Sequence, residues 1–108
     1  MKITYDIYKV NYWFDGTFDK NMDSEDIYDI VTGEGEWIPL ANFTDENKAW
    51  DKWHELSEFA EIREDVDGLI YSCVMILERS ERNDDGLIIE SVEWDYAVGK
   101  YEGDEYDE

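Results

Sequence analysis

A chain of 108 residues is long enough for one domain, and a hydrophobic content of 43% with 16% aromatics gives it apolar area to fold despite a formal net charge of −21. That charge repels phosphate and anionic lipid, so direct binding to nucleic acid or to a membrane surface is excluded. A single cysteine, Cys73, leaves no internal disulfide, no run approaches the roughly 18 apolar residues of a bilayer span, and Met1-Lys2-Ile3-Thr4 opens without a signal core, so a cytoplasmic protein is expected.

Taken in order, Ile3 to Phe14 alternates with aromatics on both parities and predicts a strand, closed by a turn at Asp15-Gly16. The segment from Thr17 to Glu36 is weakly patterned, with a short helix possible from Ser24 (as N-cap) to Val31. Trp37 to Ala41 reads as a short strand that Pro39 confines to an edge or demotes to extended loop. Thr44-Asp45-Glu46 starts the clearest helix, with the Thr44 hydroxyl as N-cap. Ala49, Trp50, Trp53, Leu56 and Ala60 form its apolar face, Asp51, Glu55 and Glu58 lie opposite, and it is expected to run to about Ile62.

After a turn at Asp67-Gly68, the run Leu69 to Leu77 predicts the central strand, with Cys73 on it. Asn83-Asp84-Asp85-Gly86 is a hairpin signal, and Leu87 to Tyr96 returns as a strand with Ile88, Val92, Trp94 and Tyr96 on its apolar side. The expected fold class is α+β: an antiparallel sheet of three to four strands with one main amphipathic helix packed on one face. Residues 1–100 form a single domain in this reading, and 101–108 an acidic, frayed tail.

Motifs for chemistry are missing. His54 is the only histidine and borders an apolar helix face, and one His with one Cys cannot assemble a typical zinc site. A calcium loop aligned on Gly86 would need Glu at its twelfth position, where Val92 stands. Gly33 and Gly35 have no following Lys-Ser/Thr for a phosphate loop. No catalytic residue, cofactor or metal is expected, and an enzyme using an acidic pair is the minor alternative.

The acids themselves are the informative feature. Of 30, eight fall between Asp15 and Glu36, nine between Asp45 and Asp67, seven between Glu78 and Asp95, five in the tail and one at Asp6. A folded surface must therefore carry most of them. A net charge of roughly 2–8 suffices for solubility of a small domain. A halophilic surface usually trades bulky apolar residues and Lys for acids, whereas five Trp and eight Tyr remain here. At one charge per ~1.7 Å of duplex, 21 charges match roughly 36 Å of DNA, comparable to the width of a domain with a radius of gyration of about 13 Å.

This points to an acidic decoy for the basic nucleic-acid-binding site of another protein. The candidate phosphate mimics are Asp51, Glu55, Glu58, Asp84, Asp85, Glu90, Glu93 and Asp95, with Tyr96 and Tyr101 as aromatic anchors.

In size, charge, aromatic content and lack of catalytic motifs the chain resembles the small acidic anti-CRISPR and antirestriction inhibitors of phages and mobile elements. Gly35-Glu36-Trp37-Ile38-Pro39-Leu40, leading into an acidic helix, is faintly similar to the ArdA-type antirestriction repeat. The resemblance implies a non-enzymatic inhibitor in a bacterial cytoplasm. Its partner would be a basic nucleic-acid-binding protein such as a restriction complex or a CRISPR effector nuclease of the Cas9 kind. A small phage or bacterial protein-interaction module without DNA mimicry is the alternative.

Overall fold

The computed structural model describes residues 2–14, 21–64 and 69–99. The elements follow as β1 (Lys2–Phe14), α1 (Ser24–Glu34), β2 (Glu36–Phe43), α2 (Glu46–Leu56), a 3-10 turn (Ser57–Phe59), β3 (Glu61–Glu64), β4 (Ile70–Arg82) and β5 (Ile88–Val98).

The two 13-residue strands β1 and β4 pair antiparallel along their whole lengths, from Lys2 opposite Arg82 to Phe14 opposite Ile70. β2 adds to the outer edge of β1. The other edge of β4 is shared end to end: β3 pairs with Ile70–Cys73 and β5 with Val74–Arg82. Gly99, just past β5, lies against the backbone of Glu61 where β3 begins, and a side chain there would collide with it. The result is a five-stranded antiparallel sheet.

Alternation along β4 sends Ile70, Ser72, Val74 and Ile76 to one face and Tyr71, Cys73, Met75 and Leu77 to the other. Both faces are covered. On the first, Val10, Phe14, Val74 and Ile76 pack with Ile27 and Val31 of α1. On the second, Tyr5, Ile7, Met75 and Leu77 pack with Ala49 and Trp53 of α2. Val74 through Leu77 are fully buried, which explains why this run is apolar on both parities.

The α+β class therefore holds, with two additions to the expected architecture. The sheet has five strands, and a second helix covers the face opposite α2. α1 is hard to read because only Ile27 and Val31 are buried on it, a narrow stripe among acids.

Both helices start at an aspartate rather than at the expected Ser24 and Thr44. Asp23 accepts from the backbone N–H of Asp26 (2.9 Å), and Asp45 from those of Asn47 and Lys48 (2.8 and 3.2 Å). A carboxylate satisfies the free amides and also meets the positive end of the helix dipole. α2 ends at Leu56, short of the expected Ile62, so Glu58 lies in the 3-10 turn. Ile62 is instead paired opposite Ser72 in β3 and buried on the α1 face, a burial that a continued α2 could not provide.

The β4–β5 hairpin forms as expected. Gly86 takes φ +84° and donates its N–H to the Asn83 carbonyl, and the Asn83 side chain accepts from Asp85 and Leu87. β5 is irregular opposite Leu77/Glu78 and Glu81/Arg82. The first bulge breaks the expected apolar side: Trp94 turns to the α2 face and stacks on Trp50 (centroids 5.6 Å apart), whereas Tyr96 meets Tyr28 of α1 (4.3 Å). The turns at Asp15-Gly16 and Asp67-Gly68 and the tail 101–108 lie outside the described residues.

Burial on both faces has a direct test at two adjacent residues. Ile76→Ala and Leu77→Ala should each cost about 2–5 kcal/mol in urea unfolding, one through each layer. A near-neutral result at either position would mean that the corresponding face is open.

Candidate partner-binding surface

Sidedness of charge follows from the same alternation. From Asn21 to Asn47 the sequence has no Lys or Arg, and within it Asp23, Glu25, Asp26, Asp29 and Glu34 are exposed on and beside α1. Among the described residues, the basic side chains Lys9, Lys48, Lys52, Arg63 and Arg79 belong to the α2 side of the sheet. On the α1 face, Lys2 and Arg82 sit opposite one another in the last row of the β1–β4 ladder. Arg82 is already engaged, donating to the Thr4 hydroxyl (3.2 Å) and to the Gly86 carbonyl (2.8 Å). The α1 face is thus an acidic surface with little compensation, and the α2 face is mixed.

The phosphate-mimic candidates do not converge on one surface. Asp51 and Glu55 are exposed on α2, but Lys48 and Lys52 stand among them, and Lys52 pairs with Glu55 at 3.3 Å. Glu58 follows in the 3-10 turn, so the expected helical stripe is broken. Asp84 and Asp85 are exposed at the hairpin tip, and Glu90 is opposite Glu81 on the α2 side.

Asp95 is a structural acid. One of its carboxylate oxygens accepts from the indole N–H of Trp53 (3.1 Å) and the other from the backbone N–H of Tyr96 (2.8 Å), tying β5 to α2. Tyr96 is 38% exposed with its ring against Tyr28, so it presents one side. Tyr101 lies outside the described residues. Of the candidates among the described residues, only Glu93 and Tyr96 are placed on the α1 face.

Glu93 belongs to a row that crosses three strands. Asp6 of β1 is opposite Glu78 of β4, and Glu78 is opposite Glu93 of β5, with Asn42 of β2 beside Asp6 at the outer end. Like charges directly opposite one another destabilise a sheet. Asp6 is only 7% exposed. One oxygen accepts from the Asn42 amide, and the other, Oδ2, has no hydrogen-bond partner within the protein. Burial, and then the charge of Asp6, hold the Glu78 carboxyl above the usual carboxylate range. Burial, and then Asp95, raise that of Glu93. The neighbouring Tyr8 phenol is pushed up by burial and by the charges of Asp6 and Glu78, despite Arg82.

Sequence reading could not see this row, because it depends on strand register. It could have singled out α1, because a base-free stretch is visible without any structure.

On the α2 face, Lys9, Leu40, Phe59, Glu61, Tyr71, Cys73 and Met75 line a cleft of about 260 Å³. Burial pushes the Cys73 thiol up, and burial followed by Cys73 takes Tyr71 to about 12, so both groups are neutral at pH 7. His54 is exposed beside Trp50. Among the described residues no three His, Cys, Asp or Glu side chains converge as metal ligands, and no helix is long and apolar enough to cross a membrane. No protein-family model, curated protein or solved structure matches the chain.

Two outcomes are expected. The native state holds the Glu78 proton more readily than the unfolded chain, so ionisation costs stability. Stability should fall as pH rises from the ordinary carboxylate value through the raised native one. Glu78→Gln should therefore raise the urea midpoint at pH 7, with the gain vanishing below about pH 4. Asp95→Ala should lower stability by about 1–3 kcal/mol, since it leaves the buried Trp53 donor without its acceptor; an unchanged midpoint would return Asp95 to the free surface acids.

Proposed function

We propose that the protein is a non-enzymatic acidic decoy that acts in a bacterial cytoplasm by occupying the nucleic-acid-binding surface of a basic protein, of which a CRISPR or restriction nuclease is the type. The observation that supports this reading is the sidedness of charge. Acids lie on both faces, but among the described residues most bases belong to the α2 side, so Asp23, Glu25, Asp26, Asp29 and Glu34 on the α1 face are left with little compensation.

Dimensions agree with it. The β1–β4 ladder runs 13 residues, roughly 43 Å at about 3.3 Å per residue, a length close to the roughly 36 Å of duplex that 21 charges match. A channel lined with Lys and Arg would attract such a rod at a steered rate and could not hold DNA at the same time.

The decoy contact should therefore be made by α1 rather than by the α2 stripe. With the tagged protein as bait for bacterial lysate, duplex DNA should release the captured basic proteins. Charge reversal at Glu25, Asp26 and Asp29 should reduce their capture at least tenfold, and reversal at Asp51 and Glu55 should have little effect. Capture that persists in excess DNA would favour an interaction module without mimicry. That second reading has its own support in the exposed apolar tip Leu87, Ile88 and Ile89, which a protein partner could cover.

A further inference from the structure

The Asp6–Glu78–Glu93 row is an unfavourable arrangement for an isolated protein, and its surroundings show what would relieve it. On one side of the row, Thr4, Ser80 and Ser91 stand opposite one another across the same three strands; on the other side stand Tyr8, Ile76 and Tyr96. All face the α1 side of the sheet; Ile76 and Tyr96 meet the edge of α1, and the carboxylate and hydroxyl rows lie beyond the cluster that α1 covers.

Two polar atoms here lack hydrogen-bond partners within the protein, and both residues are more than nine-tenths buried. They are Asp6 Oδ2 (residue 7% exposed) and Ser80 Oγ (1% exposed). Ser80 lies in the row next to Glu78, on the same face, and belongs to no carboxylate cluster. A buried polar atom without a partner is unfavourable, and this patch contains two.

We propose that the row is the seat for an arginine side chain of the basic partner. This rests on the decoy reading for the source of the arginine, and names the place where one guanidinium is held. Neighbouring strands are about 4.8 Å apart, so the row offers carboxylate oxygens at intervals that a planar fork of five donors spans, whereas an ammonium is a single point. Glu78 and Glu93 meet the fork, Asp6 Oδ2 accepts beneath them, and the Ser80 hydroxyl accepts a further N–H. Tyr8 and Tyr96 stand in the next row, and an aromatic ring is a surface on which a guanidinium stacks. A divalent cation is disfavoured because the acids do not converge as ligands among the described residues. Arg82, the nearest internal guanidinium, is directed to Thr4 and Gly86 instead.

The probe is a tetra-arginine peptide, with tetra-lysine as its counterpart, titrated into the full-length protein while the side-chain carboxyl resonances are followed by NMR. Arginine should bind the more tightly and shift Asp6, Glu78 and Glu93 before the α1 acids. Glu78→Gln, which should not unfold the protein, and Ser80→Ala should each weaken binding by several-fold to tenfold. Neutralising Glu25, Asp26 and Asp29 together should weaken it less than Glu78→Gln does.

Equal binding of the two peptides, carboxyl shifts led by α1, or retained affinity in Glu78→Gln would each overturn the proposal and leave the orphan atoms to an internal water. The decoy reading fails separately. If captured proteins resist DNA while the row still selects arginine, the seat stands and mimicry falls; if α1 reversal abolishes capture and Glu78→Gln does not, mimicry stands and the seat falls.

Discussion

Everything in this molecule depends on the ladder between β1 and β4. Two strands of 13 residues paired without interruption form a rigid plank, and the middle of β4 is apolar on both parities. A plank that is apolar on both sides must be covered twice. A chain of 108 residues has little left to do this with, so each cover is a helix of 11 residues. Such helices are marginal alone, and their stability comes from the sheet beneath them. The covers are also shorter than the plank, which leaves sheet surface beyond α1 open to polar rows.

The placement of charge follows from that shortage of cover. The core takes the apolar residues, so the acids go wherever the chain is outside it: the solvent side of α1, the hairpin tip and the rows beyond the helices. α1 fully buries only Ile27 and Val31, with Tyr28 and Ile30 partly buried beside them, and its outer positions are free to be acidic. α2 has more to do, since Ala49 and Trp53 are buried and Trp50 stacks on Trp94, and its outer face mixes Lys48 and Lys52 with Asp51 and Glu55. The difference between the faces is thus built into the way each helix meets the sheet.

How much of this could be read from the sequence varied with the kind of signal. Strands β1 and β4, the helix α2 and the hairpin at Asn83–Gly86 are written in local periodicity and turn chemistry, and those signals are strong. α1 was legible only as a possibility, because two buried residues in eleven barely make a stripe. β3 was absorbed into α2, because Trp53, Leu56 and Ala60 keep a helical spacing up to the residue before β3 and a four-residue strand has little period of its own. The bulge that parts Trp94 from Tyr96 has no local signature. The candidate acids suffered most, because a list along the chain does not say which carboxylates share a face: Asp95 became a tether for Trp53, and Asp6 emerged as the partner of Glu78.

The outer edges of the sheet carry a separate consequence, for how copies of the molecule meet. β2 presents Pro39, which has no amide hydrogen to donate, and its pairing slips opposite Ile7 and Tyr8. β5 is bulged in two places. Neither flank is a straight template for another strand, and identical copies bring like charge to the encounter. Sheet-to-sheet growth, the ordinary hazard of a small β-rich chain, is therefore disfavoured along β2 and β5, and β3 offers only four residues. The molecule can accumulate to high local concentration while remaining available to a surface of opposite charge.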